Sequence, residues 1–165
     1  MRIRQLLFFC SLILAAGAVS SPAQNFGSSE LVKAAKFLEA QPFDKNAEVI
    51  RGAAVRYVME TKDVSVLICG GDIVKPFLDK KNKNSTELIG QYTIALAAFK
   101  LENPSRRDDD NAAQVAALES VLRTYEAMLR EKPKSKHVLM DEYIQKRDKG
   151  ELRALVDAAD CKKGS

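Results

Sequence analysis

NSTELIGQYTIALAAFKLENP, running from Asn84 to Pro104, is the most apolar stretch of the chain after the N-terminal leader, and its periodicity decides the fold class. Leu88, Ile89, Tyr92, Ala95, Leu96, Phe99 and Leu101 recur at three- and four-residue spacing. Ile94, Ala97 and Ala98 widen the stripe until little beyond Gln91, Thr93 and Lys100 is polar. A helix apolar on most of its sides has to be surrounded by others rather than laid on a surface. Asn84 is placed to cap its first turn, with Glu87 three residues on reaching back, and Pro104 forces Asn103 out of helical geometry at the other end.

On the C-terminal side the polar loop SRRDDDN leads into a second long helix, from about Asp110 to Glu131, with Val115, Leu118, Leu122, Tyr125 and Leu129 as its stripe and Val121 and Met128 widening it. Glu119 and Arg123, and Glu126 and Arg130, stand four apart in the favourable order. Pro133 ends this helix, Ser135 is placed to cap a helix bearing Leu139, Met140, Tyr143 and Ile144, and Gly150 separates it from a last short helix through Leu152, Leu155 and Val156. On the N-terminal side, Ser29 is placed to cap a helix ending before Pro42, and Asp44 opens a longer one with Ala47, Ile50, Ala54, Tyr57 and Val58 inward. Gly52 either weakens that helix or lets another approach it closely. Val64 to Cys69, VSVLIC, has the length and β-branching of a strand but no second strand to pair with, so it is expected to be extended or helix-terminal and fully buried. Around Pro76 a short helix is expected, and KKNKN from Lys80 reads as a solvated turn. The prediction is an all-α single domain, a helical bundle or irregular array of helical hairpins, with about six helices.

Residues 1 to 24, MRIRQLLFFCSLILAAGAVSSPAQ, combine Arg2 and Arg4, an uncharged apolar run and small residues at its end. This is the pattern of a secretory signal peptide, residues 1–23, with cleavage expected between Ala23 and Gln24 and no membrane span left afterwards. The remaining 24–165 form the expected helical domain, destined for the periplasm or the exterior. The formal charge of +4 falls to +2 once the two leader arginines are gone, which argues against a nucleic-acid partner. Cys10 leaves with the leader, so Cys69 and Cys161 remain as one pair and are expected to form a disulfide in an oxidising compartment.

Motifs for chemistry are sparse. Asp108, Asp110 and Glu119 fit the first, third and twelfth positions of a calcium loop, but Ala112 and Ala113 stand where a ligand and a glycine are required. Capping and the helix dipole account for the acids instead. His137 is the only histidine, read as exposed and without a role, and no catalytic or metal constellation or cofactor motif is expected. Arg130, Lys132, Lys134 and Lys136 form a basic cluster read as a solvated loop and, at most, a weak docking patch for an anionic partner; Lys80, Lys81 and Lys83 form a second. Asn84-Ser85-Thr86 is a glycosylation sequon that matters only in a eukaryote.

TYEAMLREKP is similar to the second helix of a tetratricopeptide unit, which would imply a helical-repeat scaffold. Pro42, Pro76, Pro104 and Pro133, however, lie 34, 28 and 29 apart, and Thr93 stands three beyond Gly90 where that repeat has tyrosine. ELIGQYTIALAAFKLENP followed by ALESVLRTYEAMLREKPKSK resembles small exported bacterial helical proteins that carry no assigned activity. That resemblance implies a Gram-negative envelope. The functional expectation is a non-enzymatic exported protein that binds a protein or small molecule in the envelope; a hydrolase with a sparse acidic site, acting on an envelope polymer, is the alternative.

Overall fold

The computed structural model describes residues 26–159 and Cys161. The expected signal peptide and its expected cleavage position at Ala23 and Gln24 lie outside the described residues. Within them the protein is all-helical with no strand: α1 (Ser28–Ala40), α2 (Ala47–Glu60), α3 (Lys75–Leu78), α4 (Ser85–Glu102), α5 (Asp110–Glu131), α6 (Val138–Asp148) and α7 (Leu152–Ala159).

The surrounding that the α4 sequence demands is present as two apolar clusters, one on each side. Leu88, Tyr92, Ala95 and Leu96 face α3, α5, α6 and α7, where they meet Phe77, Leu118, Val121, Leu122, Tyr125, Met128, Met140 and Val156. Ile94, Ala97 and Ala98 face α1 and α2, meeting Leu31, Ala34, Leu38, Ala54 and Val58. α5 runs antiparallel to α4, as the pairs Lys100 with Asp110 and Gln91 with Ser120 fix. Its fully buried line is Leu118, Val121, Leu122, Tyr125 and Met128, while Val115 and Leu129 sit half-buried on the flanks.

Polar groups lock this packing. Gln91 Nε2 donates to Ala35 O at 3.0 Å and to Ser120 Oγ at 2.8 Å, and Ser120 Oγ in turn donates to Glu39, which also pairs with Arg123 at 2.7 Å. One buried side chain thus ties α1, α4 and α5 together through the two bonds its Nε2 donates. Lys100, expected on the polar flank of α4, is instead buried: its ammonium meets Asp110 at 2.7 Å and Ser65 O at 3.0 Å. Glu126 bonds Arg147 of α6 through both oxygens, at 2.8 and 2.9 Å, instead of pairing with Arg130 along its own helix. The Glu119–Arg123 pair forms as expected, at 3.8 Å.

Several helix starts differ from expectation. α1 begins at Ser28, whose hydroxyl is engaged by Tyr57 and Asp63, so Ser29 caps nothing. α2 begins at Ala47 rather than Asp44, because the Asp44 carboxylate accepts the Asn46 N–H and closes a turn ahead of the helix. Asn84 stands at the N-cap of α4 with φ −108° and ψ 24°, outside the extended geometry a capping side chain needs, and neither it nor Glu87 caps the helix. Asn82 organises that turn instead, accepting from Asn84 N–H at 3.0 Å and donating to Pro76 O at 2.9 Å. In KKNKN the lysines are exposed and both asparagines are buried. Ser135 belongs to a 3-10 turn, and His137 precedes α6 without a side-chain cap. Asp109 does cap, accepting the Ala112 N–H at 2.9 Å at the start of α5.

Residues 64–69 are extended without strand pairing. Val64 and Cys69 are buried, but Ser65 and Ile68 are exposed, so the segment lies on the surface with its two ends tucked in. Gln114 Nε2 holds it by donating to Leu67 O at 2.7 Å, and Gln114 also accepts from the buried Tyr92 hydroxyl. Cys69 and Cys161 are disulfide-bonded, with Cα atoms 5.1 Å apart, so α7 is stapled to this segment.

Candidate functional site

An apolar concavity runs between α2 and α4. It has a volume of about 460 Å³ and is lined by Gly52 and Val55 of α2, Thr86, Ile89, Gly90 and Thr93 of α4, and the charged rim residues Glu48 and Arg51. Val49 and Met59, also on α2, are 75% and 79% exposed. The two helices run parallel here, since Glu48 and Thr86 stand in their first turns and Val55 and Thr93 lie further along both.

The two glycines of the groove play different parts. A Cβ on Gly90 would lie 2.7 Å from Arg51 Cδ, so Gly90 is where the Arg51 stem crosses α4 on its way to Pro42 O, to which its Nη2 donates at 3.0 Å. Arg51 is half-buried, and burial pulls its pKa below the usual guanidinium value against the opposing pull of Glu87 and Glu48. Gly52 is exposed, and a Cβ there would meet nothing within 4 Å. Of the two roles open to Gly52, close approach is therefore not the one it plays; the close contact in this groove is that of the Arg51 stem with Gly90.

A polar cleft of about 410 Å³ flanks the other end of α4, lined by residues 65–67, Lys100, Arg107, Asp108 and Asp110. Asp108, Asp109 and Asp110 are not gathered into a metal site, and among the described residues no group of acidic, histidine and cysteine side chains is placed to hold a metal. The hydrolase alternative would need a carboxyl held protonated by its surroundings. The carboxyls with displaced pKa values are all displaced downward. Asp109 is lowered first by the Ala112 N–H, Asp157 by Arg153, Asp63 by the Tyr57 hydroxyl, and Asp79 by the Lys81 N–H.

His137 is buried rather than exposed, because the turn after α3 folds over it and brings Asp79 Oδ1 to 3.6 Å from its Nε2. Its backbone N–H donates to the Tyr125 hydroxyl at 2.7 Å. Burial, together with the Asp141 carboxylate that the hydroxyl reaches at 3.0 Å, pushes the Tyr125 pKa up to about 12. His137 thus fastens the loop after α5 to the turn after α3.

Arg130, Lys132, Lys134 and Lys136 are all exposed. The Lys132 ammonium sits 3.5 Å above the centre of the Phe43 ring, and Lys136 lies 3.6 Å from Asp141. The His137–Asp79 contact also brings Lys80, Lys81 and Lys83 to the same end of the bundle, a juxtaposition of the two basic clusters that spacing along the chain does not reveal. No helix of the described residues is long and apolar enough to cross a membrane. No family model matches the chain, and neither a curated protein nor a solved structure matches it.

Proposed function

We propose that the chain is an exported, non-enzymatic binding protein of the cell envelope: a signal peptide, residues 1–23, is removed, and residues 24–165 form one helical domain whose α2–α4 groove receives an apolar group of a protein or small-molecule partner. The observation that carries this reading is Gly52. A helical glycine costs about 1 kcal/mol relative to alanine, yet its φ is not positive, and no neighbour lies within 4 Å of where its Cβ would be. The fold gains nothing from the missing side chain. The groove gains open space at its floor, beside Val55 and Ile89. Apolar pockets with a few charged rim groups are the usual form of a binding site. The Cys69–Cys161 bond supports an oxidising compartment.

The test is affinity capture from the native envelope with tagged residues 24–165, run beside Gly52→Leu, which fills the groove without touching the core. A partner retained by the wild type and lost by the folded variant supports the proposal. Equal capture by both overturns it. So does turnover of peptidoglycan by the purified protein that depends on one acid, such as Asp110.

A further inference from the structure

We propose that the end of the bundle bearing the turns after α3 and α5 docks onto an anionic phospholipid surface. Lys80, Lys81 and Lys83 come from the first turn; Arg130, Lys132, Lys134 and Lys136 come from the second; all seven are exposed. The two turns themselves hold two acids, Asp79 and Glu131, and so carry a formal +5; Glu48, Glu87 and Asp141, in the first turns of the helices that start beside them, bring the end as a whole to +2. The positive charge is therefore concentrated on the exposed loops rather than on the end as a whole. Asp79 accepts the Lys81 N–H at 2.7 Å and lies 3.6 Å from His137 Nε2, which joins the two turns.

Two features select a lipid surface over a soluble polyanion. Leu78 and Val138, 55% and 70% exposed, stand immediately beside the lysines, at the end of α3 and the start of α6. Apolar side chains among basic ones are wasted on a polyphosphate but enter the headgroup region of a bilayer. Six of the seven basic residues are lysines, flexible point charges suited to diffuse surface charge, rather than arginines, whose planar forks favour fixed bidentate partners. This proposal is independent of the groove and stands or falls separately.

The test is co-sedimentation of residues 24–165 with vesicles of pure phosphatidylcholine and of phosphatidylcholine containing about one third phosphatidylglycerol. Binding only to the anionic vesicles is expected, weakening as salt rises. Each neutralised lysine should lower the partition constant by about fivefold, so Lys80→Gln/Lys81→Gln/Lys132→Gln/Lys134→Gln should lower it by several hundredfold. Lys62→Gln/Arg107→Gln, at the opposite end, should leave it unchanged. Leu78→Ser/Val138→Ser should weaken vesicle binding while leaving retention on a heparin column unaltered. Absent binding, equal binding to both vesicle types, a similar loss from the two charge variants, or vesicle binding indifferent to Leu78→Ser/Val138→Ser would each overturn the proposal. Circular dichroism and thermal unfolding establish that each variant is folded before its binding is read.

Discussion

Replacing the two groove glycines by alanine should move stability in opposite directions. Gly52→Ala removes the backbone-entropy penalty of glycine in a helix, and its methyl meets no atom within 4 Å, so it should stabilise by about 1 kcal/mol and raise the melting temperature by roughly 3–5 °C. Gly90→Ala has the same helix-propensity gain, but its methyl would lie 2.7 Å from Arg51 Cδ and 3.1 Å from Cγ. The stem cannot swing aside freely, because Nη2 is bonded to Pro42 O and Nε is enclosed. Displacing it sacrifices a charge-assisted bond worth about 1.5–3 kcal/mol, leaving Gly90→Ala destabilised by about 1 kcal/mol net. In an Arg51→Ala background the obstacle is gone, and Gly90→Ala should then stabilise by about 1 kcal/mol, a coupling of about 2 kcal/mol. Urea unfolding of the four proteins of this cycle, plus Gly52→Ala, measures every term. Stabilisation by Gly90→Ala in the wild-type background would refute the pinned Arg51 stem, and destabilisation by Gly52→Ala would refute the claim that the fold has no use for that glycine.

Reduction of the disulfide should lower stability by about 4–5 kcal/mol on the chain-entropy model and the melting temperature by roughly 12–25 °C, since the bridged residues are 92 apart in sequence; a melting temperature unmoved by reductant would contradict it. Asp110→Ala should cost about 3 kcal/mol by leaving the Lys100 ammonium, 8% exposed, with Ser65 O in place of a carboxylate, and adding Lys100→Met should recover most of that loss in denaturant unfolding. The Asp79 carboxyl is held below its ordinary value by the Lys81 N–H and then by His137. Its folded pKa being depressed, its stabilisation is complete above the unfolded value of about 3.9 and is lost as pH falls through the folded one. Asp79→Asn should therefore flatten the fall in melting temperature below about pH 4, and an unchanged slope would count against the Asp79–Lys81–His137 arrangement.

What was legible in the sequence was whatever depends on near neighbours or on a count. The three-and-four spacing of Leu88, Tyr92, Ala95 and Leu96 marks a helix whatever surrounds it, Pro104 and Pro133 stop helices by local sterics, and Cys69 and Cys161, the two cysteines outside the N-terminal apolar run, admit one pairing. Capping was less legible because it depends on the backbone angle of the preceding turn. Asn82 and Asn84 offer the same side chain two residues apart, and only the packing of that turn against Pro76 decides that Asn82 organises it. His137 reads as exposed among lysines because the turn that covers it lies some sixty residues earlier. The burial of Lys100 was hidden for a similar reason: its carboxylate partner belongs to the next helix.

The same limit applies to both candidate surfaces, and it bears on how they are separated experimentally. Gly52 and Gly90 look alike in sequence; what distinguishes them is that Arg51 crosses one and nothing crosses the other. The two lysine clusters are separated by about fifty residues and become one surface only because α5 runs back along α4 and overhangs its start. Since α2 and α4 run parallel from that end, the groove opens beside the basic turns, with Glu48 and Thr86 at its near edge. Gly52→Leu, one helical turn further along α2, adds no charge and lies away from Leu78 and Val138, so it should abolish capture while leaving vesicle partition intact. The lysine substitutions should do the reverse, and a variant of either kind that changed both readouts would mean that the groove and the basic end form a single site.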